Sequence, residues 1–194
     1  MFDTEVRLGA AATATAPALV LRPWRPTDAA ALTEAYRDPV LRRWVSGDVR
    51  DEADAVRWLR VQQEGWASGQ RLAFAVLEAH QDGGEGALAG QAVLKAPAGQ
   101  TVFRAPETPG GPSAEVGYWT AAHARGRSVA PRALSALTDW AFTAFPHLTR
   151  LELLHQTANT ASCRVAEKSG YALESVLPAA PPDYPGTGHL HVRR

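Results

Sequence analysis

The sequence predicts one α/β domain of the α+β type, with about seven strands and about four helices. Three observations lead there. At 194 residues, 45% hydrophobic and 21% charged, the chain has globular composition and can fill one core. Short β-rich runs are interleaved with segments of helical period. No repeat, linker or shift in composition divides residues 18–194, so a single domain suffices.

Residues 1–17, rich in Ala and Thr without clear period, read as a flexible or loosely docked lead-in. Residues 9–21 faintly suggest a signal-peptide core, but Asp3 and Glu5 precede the run with only Arg7 to offset them. Ala18–Arg22 is a first strand. Pro23 and Pro26 follow, Thr27 or Asp28 caps a helix to about Arg37, and Asp38-Pro39 stops it. A second helix spans about Asp51–Ala67, with acidic residues in its first turn, Val56, Leu59 and Trp66 on one face, and Gly69 as its stop.

The runs 71–79 and 87–95 form a hairpin of strands buried on both faces, joined by the Gly-rich turn between them. Residues 96–112, which include Pro97, Pro106, Pro109 and Pro112, are a loop. Ser113–Thr120 is the next strand, where the interior Gly117 suggests a bulge or a close approach. A basic connection, His123–Ser128, leads into a helix from Val129 to Phe145, whose stripe is Leu134, Leu137, Ala141 and Ala144. Strand 149–155 follows, then a helix opened by Asn159 or Thr160 and closed at Gly170. Tyr171–Leu177 and Gly188–Val192 close the sheet around a Pro-rich loop.

Lys plus Arg and Asp plus Glu balance at 20 each, which argues against a nucleic-acid or membrane-surface partner. No run approaches the roughly 20 apolar residues of a membrane span. One cysteine, Cys163, is expected to exclude an intramolecular disulfide and a Cys-based zinc site, and suits a reducing compartment; the expected location is cytoplasmic.

The chemistry concentrates in two stretches. In EVGYWTAAHARGRSVA, from Glu115 to Ala130, a strand and a basic turn place Arg125, Gly126, Arg127, Ser128, Val129 and Ala130 at a helix N-terminus. Unpaired N–H groups and the helix dipole favour an anion there, and two arginines suit a pyrophosphate. An ordinary turn with solvated arginines fits the same spacing. Neither a Walker A sequence nor G-x-G-x-x-G is present. The second stretch, NTASCRVAEKSGY from Asn159 to Tyr171, is by itself a capped helix with a glycine stop.

In order, the two stretches resemble the GNAT acyltransferases, and most closely the branch of ribosomal-protein N-terminal acetyltransferases and their small-molecule relatives. The opening LVLRPWRPTDAAAL, Leu19–Leu32, is similar to that branch as well, so the resemblance covers about residues 18–178. It implies a mixed, mostly antiparallel sheet splayed between strands 113–120 and 149–155, with acetyl-CoA (coenzyme A) in the cleft as co-substrate. The backbone at Tyr118, Trp119 and Thr120 would pair with pantetheine, and Arg125–Ala130 would hold the pyrophosphate. Asn159 would bond the pantetheine arm, and Ser162 would lie near the sulfur. Ser128 stands where the family's second glycine is usual, and the Pro-rich C-terminal region with its HLHVRR ending departs from the branch.

Transfer to an amine needs a base, an oxyanion site and a proton for the leaving thiolate. Glu115 is the leading base and Glu152 its understudy. Backbone N–H groups near Gly117–Trp119 suit the oxyanion. Ser162 leads as acid or relay, and Tyr171 follows, with a core role as its alternative. Cys163, inside a helix, reads as core. Of six tryptophans, Trp24, Trp44, Trp58 and Trp66 fall where the family builds its acceptor groove, although amphipathic helices also bury such rings. His189 and His191 share a strand face but lack an evident third ligand, so no metal is expected. The expected acceptor is a peptide N-terminus, an amino acid or an amine-bearing small molecule such as an antibiotic. A silent acyl-CoA-binding module is the alternative. A homodimer is the commonest assembly for such enzymes.

Overall fold

In the computed structural model eight strands make one sheet in the order β1-β2-β3-β4-β5-β6-β8-β7. They are β1 (Leu8–Ala10), β2 (Leu19–Pro23), β3 (Arg71–Ala79), β4 (Glu85–Lys95), β5 (Ser113–Thr120), β6 (Arg150–Gln156), β7 (Ala172–Leu177) and β8 (Gly188–Arg193). The helices are α1 (Ala29–Ala35), α2 (Pro39–Trp44), α3 (Glu52–Ser68), α4 (Val129–Ala144) and α5 (Thr160–Lys168). The structure describes residues 6–45, 47–80, 82, 84–103, 112–182 and 185–194. The start of the expected lead-in, with Asp3 and Glu5, and the loop prolines Pro106 and Pro109 lie outside the described residues.

Three expectations need correction. The sheet has eight strands, because Leu8–Ala10 pairs antiparallel with Leu19–Leu21; three residues are too few to show a period. The lead-in is tied down further where Arg132 Nη2 donates to the carbonyls of Ala11 (2.6 Å) and Pro17 (2.7 Å). Asp38-Pro39 ends α1 but also starts α2. Asp38 caps it by accepting from the N–H of Val40 (3.0 Å) and of Leu41 (3.3 Å), and a proline in the first turn gives up no needed donor. On α3, Val56 is 52% exposed while Ala55, Leu59 and Gln62 are buried. The buried Gln62 is tolerated because its Oε1 accepts from Arg71 Nε at 2.7 Å.

Pairing register divides the sheet into two faces. Phe74, Ala92, Tyr118 and Val116 share one, under α4 and α5, where Phe74 meets Trp140 edge-on. Arg22, Gln91, Lys95, Glu115 and Trp119 share the other, under α1 and α3, where Trp119 meets Trp24 and Tyr36. Gly90 permits the tight β4–β5 contact, since a Cβ there would lie 2.2 Å from the Trp119 carbonyl. Trp58 and Trp66 are half-buried and pack on the core, Trp58 edge-on to Trp24 and Trp66 edge-on to Phe74.

Candidate active site

β5 and β6 are the parallel pair in an otherwise antiparallel sheet, and their ladder runs only from Ser113↔Arg150 to Val116↔Leu153. Beyond it Gly117–Thr120 continues against β4 and Leu154–Gln156 against β8. The strands therefore part at Gly117, opening a wedge whose edges carry strand backbone, the kind of edge to which an extended amide-bearing ligand can add.

At the wedge mouth, the basic turn between β5 and α4 carries two left-handed residues, Gly126 (φ 77°) and Ser128 (φ 55°). Left-handed residues bend neighbouring N–H groups into concavities that hold anions. Ser128 is the sole non-glycine with positive φ among the described residues, and it makes no side-chain cap to α4. A glycine is usual at such a position for a backbone reason, and the serine here carries the strain. Val129 and Ala130, buried, form the first turn of α4.

Both arginines of the turn are already paired. Arg125 bonds Asp38, the cap of α2, and Arg127 contacts Glu78 and donates to the His123 carbonyl at 3.1 Å. Burial pushes the Asp38 carboxyl up, but hydrogen bonds from Arg125, Val40 and Leu41 together hold it below its ordinary value. Asp38 thus fixes the turn against α2, a role the sequence reading missed by taking Asp38 only as a helix stop.

Inside the wedge the phenol of Tyr118 donates to Ser162 Oγ at 3.0 Å. Burial raises the Tyr118 phenol to about 12, against a smaller opposing pull from the Ser162 bond. It stays protonated at neutral pH and can donate. Asn159 caps α5, its Oδ1 accepting from the Ser162 N–H at 3.3 Å. The expected alternative acid, Tyr171, sits elsewhere: its hydroxyl lies 2.6 Å from Thr138 Oγ1 in the core, and burial raises it to about 12. Tyr118 was expected to contribute only backbone. The two-residue period placing it beside Val116, on the face that α5 covers, is the signal that would have found its side chain.

Glu115 projects from the opposite face of β5. Its carboxylate pairs with Lys95 on β4, its partner in register, and Arg71 lies close enough to feel its charge. Glu152, opposite Glu115 on β6, accepts from Arg150 Nε at 2.7 Å. The histidine pair has company. His189 and His191 stand on the face of β8 that α5 covers, together with His155 of β6 and Cys163 of α5, which is half-buried rather than core.

These features accord with what the chain resembles. The family model described as an acetyltransferase (GNAT) domain matches residues 18–172. A Vibrio cholerae protein assigned as a ribosomal-protein-serine acetyltransferase superposes with a TM-score of 0.76 at 20% identity, covering 99% of each chain. Mycobacterium smegmatis RimJ, solved with CoA-disulfide, gives 0.74 at 22% identity over 97% of this chain and 85% of its own. An aminoglycoside acetyltransferase bound to coenzyme A and kanamycin gives 0.65 at 19% identity, covering 90% of this chain and 94% of its own. No curated protein matches the sequence. No helix among the described residues is long and apolar enough to cross a membrane. With the family match spanning most of the chain, and the parted parallel strands and the basic turn before α4 in place, the protein belongs to the GNAT acetyltransferase family.

Proposed function

We propose that the protein transfers the acetyl group of acetyl-CoA directly to a primary amine. The observation that carries this reading is the hydroxyl pair Tyr118–Ser162 inside the wedge, beside a turn built for an anion. Pantetheine would lie between β5 and β6, with its amides on the free edge at Tyr118–Thr120 and its arm near Asn159. The pyrophosphate would meet the N–H groups of Gly126–Ala130, and Arg125 and Arg127 would turn from Asp38 and Glu78 toward it.

In the reaction the ammonium of the acceptor loses a proton to Glu115, directly or through water. The free amine attacks the thioester carbon, and backbone N–H groups of Gly117–Trp119 stabilise the oxyanion. On collapse the C–S bond breaks, the thiolate takes a proton from Tyr118, and the second proton shed by the attacking nitrogen passes through water to restore the phenol, which Ser162 holds in place. Tyr118 replaces Tyr171 in this scheme because the Tyr171 hydroxyl is committed to Thr138. Glu115 must loosen its pairing with Lys95 to act, which also favours a base working through water.

The acceptor would approach on the Glu115 face. There the indole N–H groups of Trp24 and Trp119 and the Oε1 of Gln91 are buried without a protein partner among the described residues. Buried polar atoms of this kind mark where a polar ligand or ordered water bonds. A peptide N-terminus, an amino acid or an amine-bearing antibiotic all supply such groups. The ion-paired state of Glu115 favours a second reading, an acyl-CoA-binding module without turnover.

The test follows free-thiol release from acetyl-CoA against short peptides, amino acids, polyamines and aminoglycosides, with calorimetric titration of CoA alongside. Amine-dependent release that falls about 100-fold in Tyr118→Phe, with CoA affinity retained, is the expected result. CoA binding without release for any acceptor would favour the silent module, and no CoA binding would overturn both readings.

A further inference from the structure

Three of the chain's six histidines and its one cysteine converge on a single point beside the wedge, on the face of β6 and β8 that α5 covers. In the β6–β8 ladder His155 pairs with His189 and Leu153 with His191, so all three imidazoles emerge on the same face. Helix α5 packs across that face and brings Cys163 onto it. One ligand atom from each of the four residues lies within 4.8 Å of every other, and Cys163 Sγ stands 3.3 Å from His189 Nδ1.

The hydrogen bonds around the rings decide which nitrogens are bare. His155 Nδ1 is 2.9 Å from the carbonyl of Gln156, and His191 Nδ1 is 3.3 Å from the carbonyl of Tyr171. A carbonyl only accepts, so each Nδ1 carries the proton and each Nε2 presents a lone pair. Both Nε2 atoms are buried, and neither has a partner among the described residues. A carbonyl-anchored imidazole with its other nitrogen turned to a buried centre is the usual second-sphere arrangement of metal-binding histidines. A hydrophobic core gains nothing from two such orphaned acceptors side by side.

We propose that His155, Cys163, His189 and His191 bind a zinc(II) ion in tetrahedral coordination. Three imidazoles and a thiolate suit this borderline-soft cation, whose bonds of about 2.0 Å to nitrogen and 2.3 Å to sulfur set ligand atoms about 3.3–3.6 Å apart. The Cys163–His189 contact already has that spacing, and the remaining atoms, within 4.8 Å of one another, close in by up to about 1.5 Å through side-chain torsions. The thiol gives up its proton on binding. A cavity of about 490 Å³, lined in part by Cys163, Glu167, His189 and His191, opens beside the cluster and gives the ion a route in. The bound ion would clamp α5 to β6 and β8. Cys163 follows Ser162 directly, so the same clamp sets the helix that carries the hydroxyl facing Tyr118. The site itself does not depend on the transferase reading.

The full chain, without a histidine tag, is stripped under reducing conditions and titrated with Co²⁺ and with Zn²⁺ against a chromophoric chelator. Expected are one equivalent of tight binding, the visible bands of tetrahedral Co²⁺, and a thiolate-to-cobalt charge-transfer band that disappears in Cys163→Ser. Zinc affinity should fall at least about tenfold in His155→Gln and in His191→Gln, and stay unchanged in the control His80→Gln. Absence of the charge-transfer band in the wild-type protein would overturn the proposal, and so would equal loss in the control. The wild-type spectrum decides the matter even if a variant folds poorly.

Discussion

Strands β2 to β5 and the wing formed by β6, β8 and β7 are held together by different means. β3 and β4 bury six and seven consecutive residues, and their faces are closed by aromatic contacts from α3 and α4. In the wing no residue of β7 is buried, α5 buries only Ala166, and Leu154, Leu173 and Val176 are exposed. Polar links supplement a core reduced to residues such as Leu151, Leu153, Ala166, Tyr171 and Val192. Arg150 pairs with Glu152 and Glu174, Arg194 reaches Glu174, and Arg193 Nη1 donates to the Ser169 carbonyl at 2.6 Å. Ion pairs partly open to solvent contribute little, so the wing depends on that small core and on its seam with β5. One side of the cleft is a close-packed block, and the other is a thin flap that ligands can steady.

The sharpest way to break this contrast is Phe74→Ala, which removes a fully buried ring touching Trp66 and Trp140. It should cost about 3–5 kcal/mol in urea unfolding, whereas Leu173→Ala, 53% exposed in the wing, should cost less than about 0.5 kcal/mol. Equal costs would show that the two halves are alike. Arg22→Met comes next. The Arg22 guanidinium, nearly buried, forks onto both Asp28 oxygens at 2.8 Å and onto Glu85 at 2.8 Å. Its removal strands a buried carboxylate and should cost about 3–5 kcal/mol, while Arg194→Ala, at the exposed wing network, should leave the midpoint within error.

The smallest effect is on pH dependence. Burial raises Glu85, but bonds and charge from Arg22, with Arg25 and Arg7, hold it below its ordinary value. A carboxylate lowered on folding stabilises the fold above the ordinary carboxylate range, and that contribution is lost as pH falls through the folded value. Stability should therefore drop below about pH 5, and Glu85→Gln should flatten that acid limb. Glu174 is also lowered, chiefly by hydrogen bonds from Arg194 and Arg150, but lies in solvent. Glu174→Gln should flatten the limb less, as unfolding midpoints measured across the acid range would reveal.

Most of the fold was legible because its strands and helices are long and well punctuated. The failures have separate physical causes. Leu8–Ala10 owes its strand to a neighbour rather than to its own pattern. α2 was hidden because Asp-Pro both ends one helix and begins another. Val56 was assigned to the buried face because a polar residue, Gln62, was not expected there without sight of Arg71. Ser162 and the turn at Arg125–Ser128 stand on local motifs, which is why the sequence alone could single them out as candidates. The Tyr118 hydroxyl bond spans 44 positions and the Cys163–His189 contact 26, distances over which one sequence carries no sign of proximity.

The four-pair seam between β5 and β6 also bears on the order in which the molecule forms. β3 and β4 close as a hairpin and β5 joins its chain neighbour, so these three strands assemble from near contacts and leave the ribosome before the wing, while β2 waits for β3 across α1, α2 and α3. The wing reaches β5 only after α4 has crossed over the sheet, and parallel pairing repays that long closure late. We expect the block to serve as the folding nucleus and the wing to dock onto it, which makes the cleft the last feature of the protein to take shape.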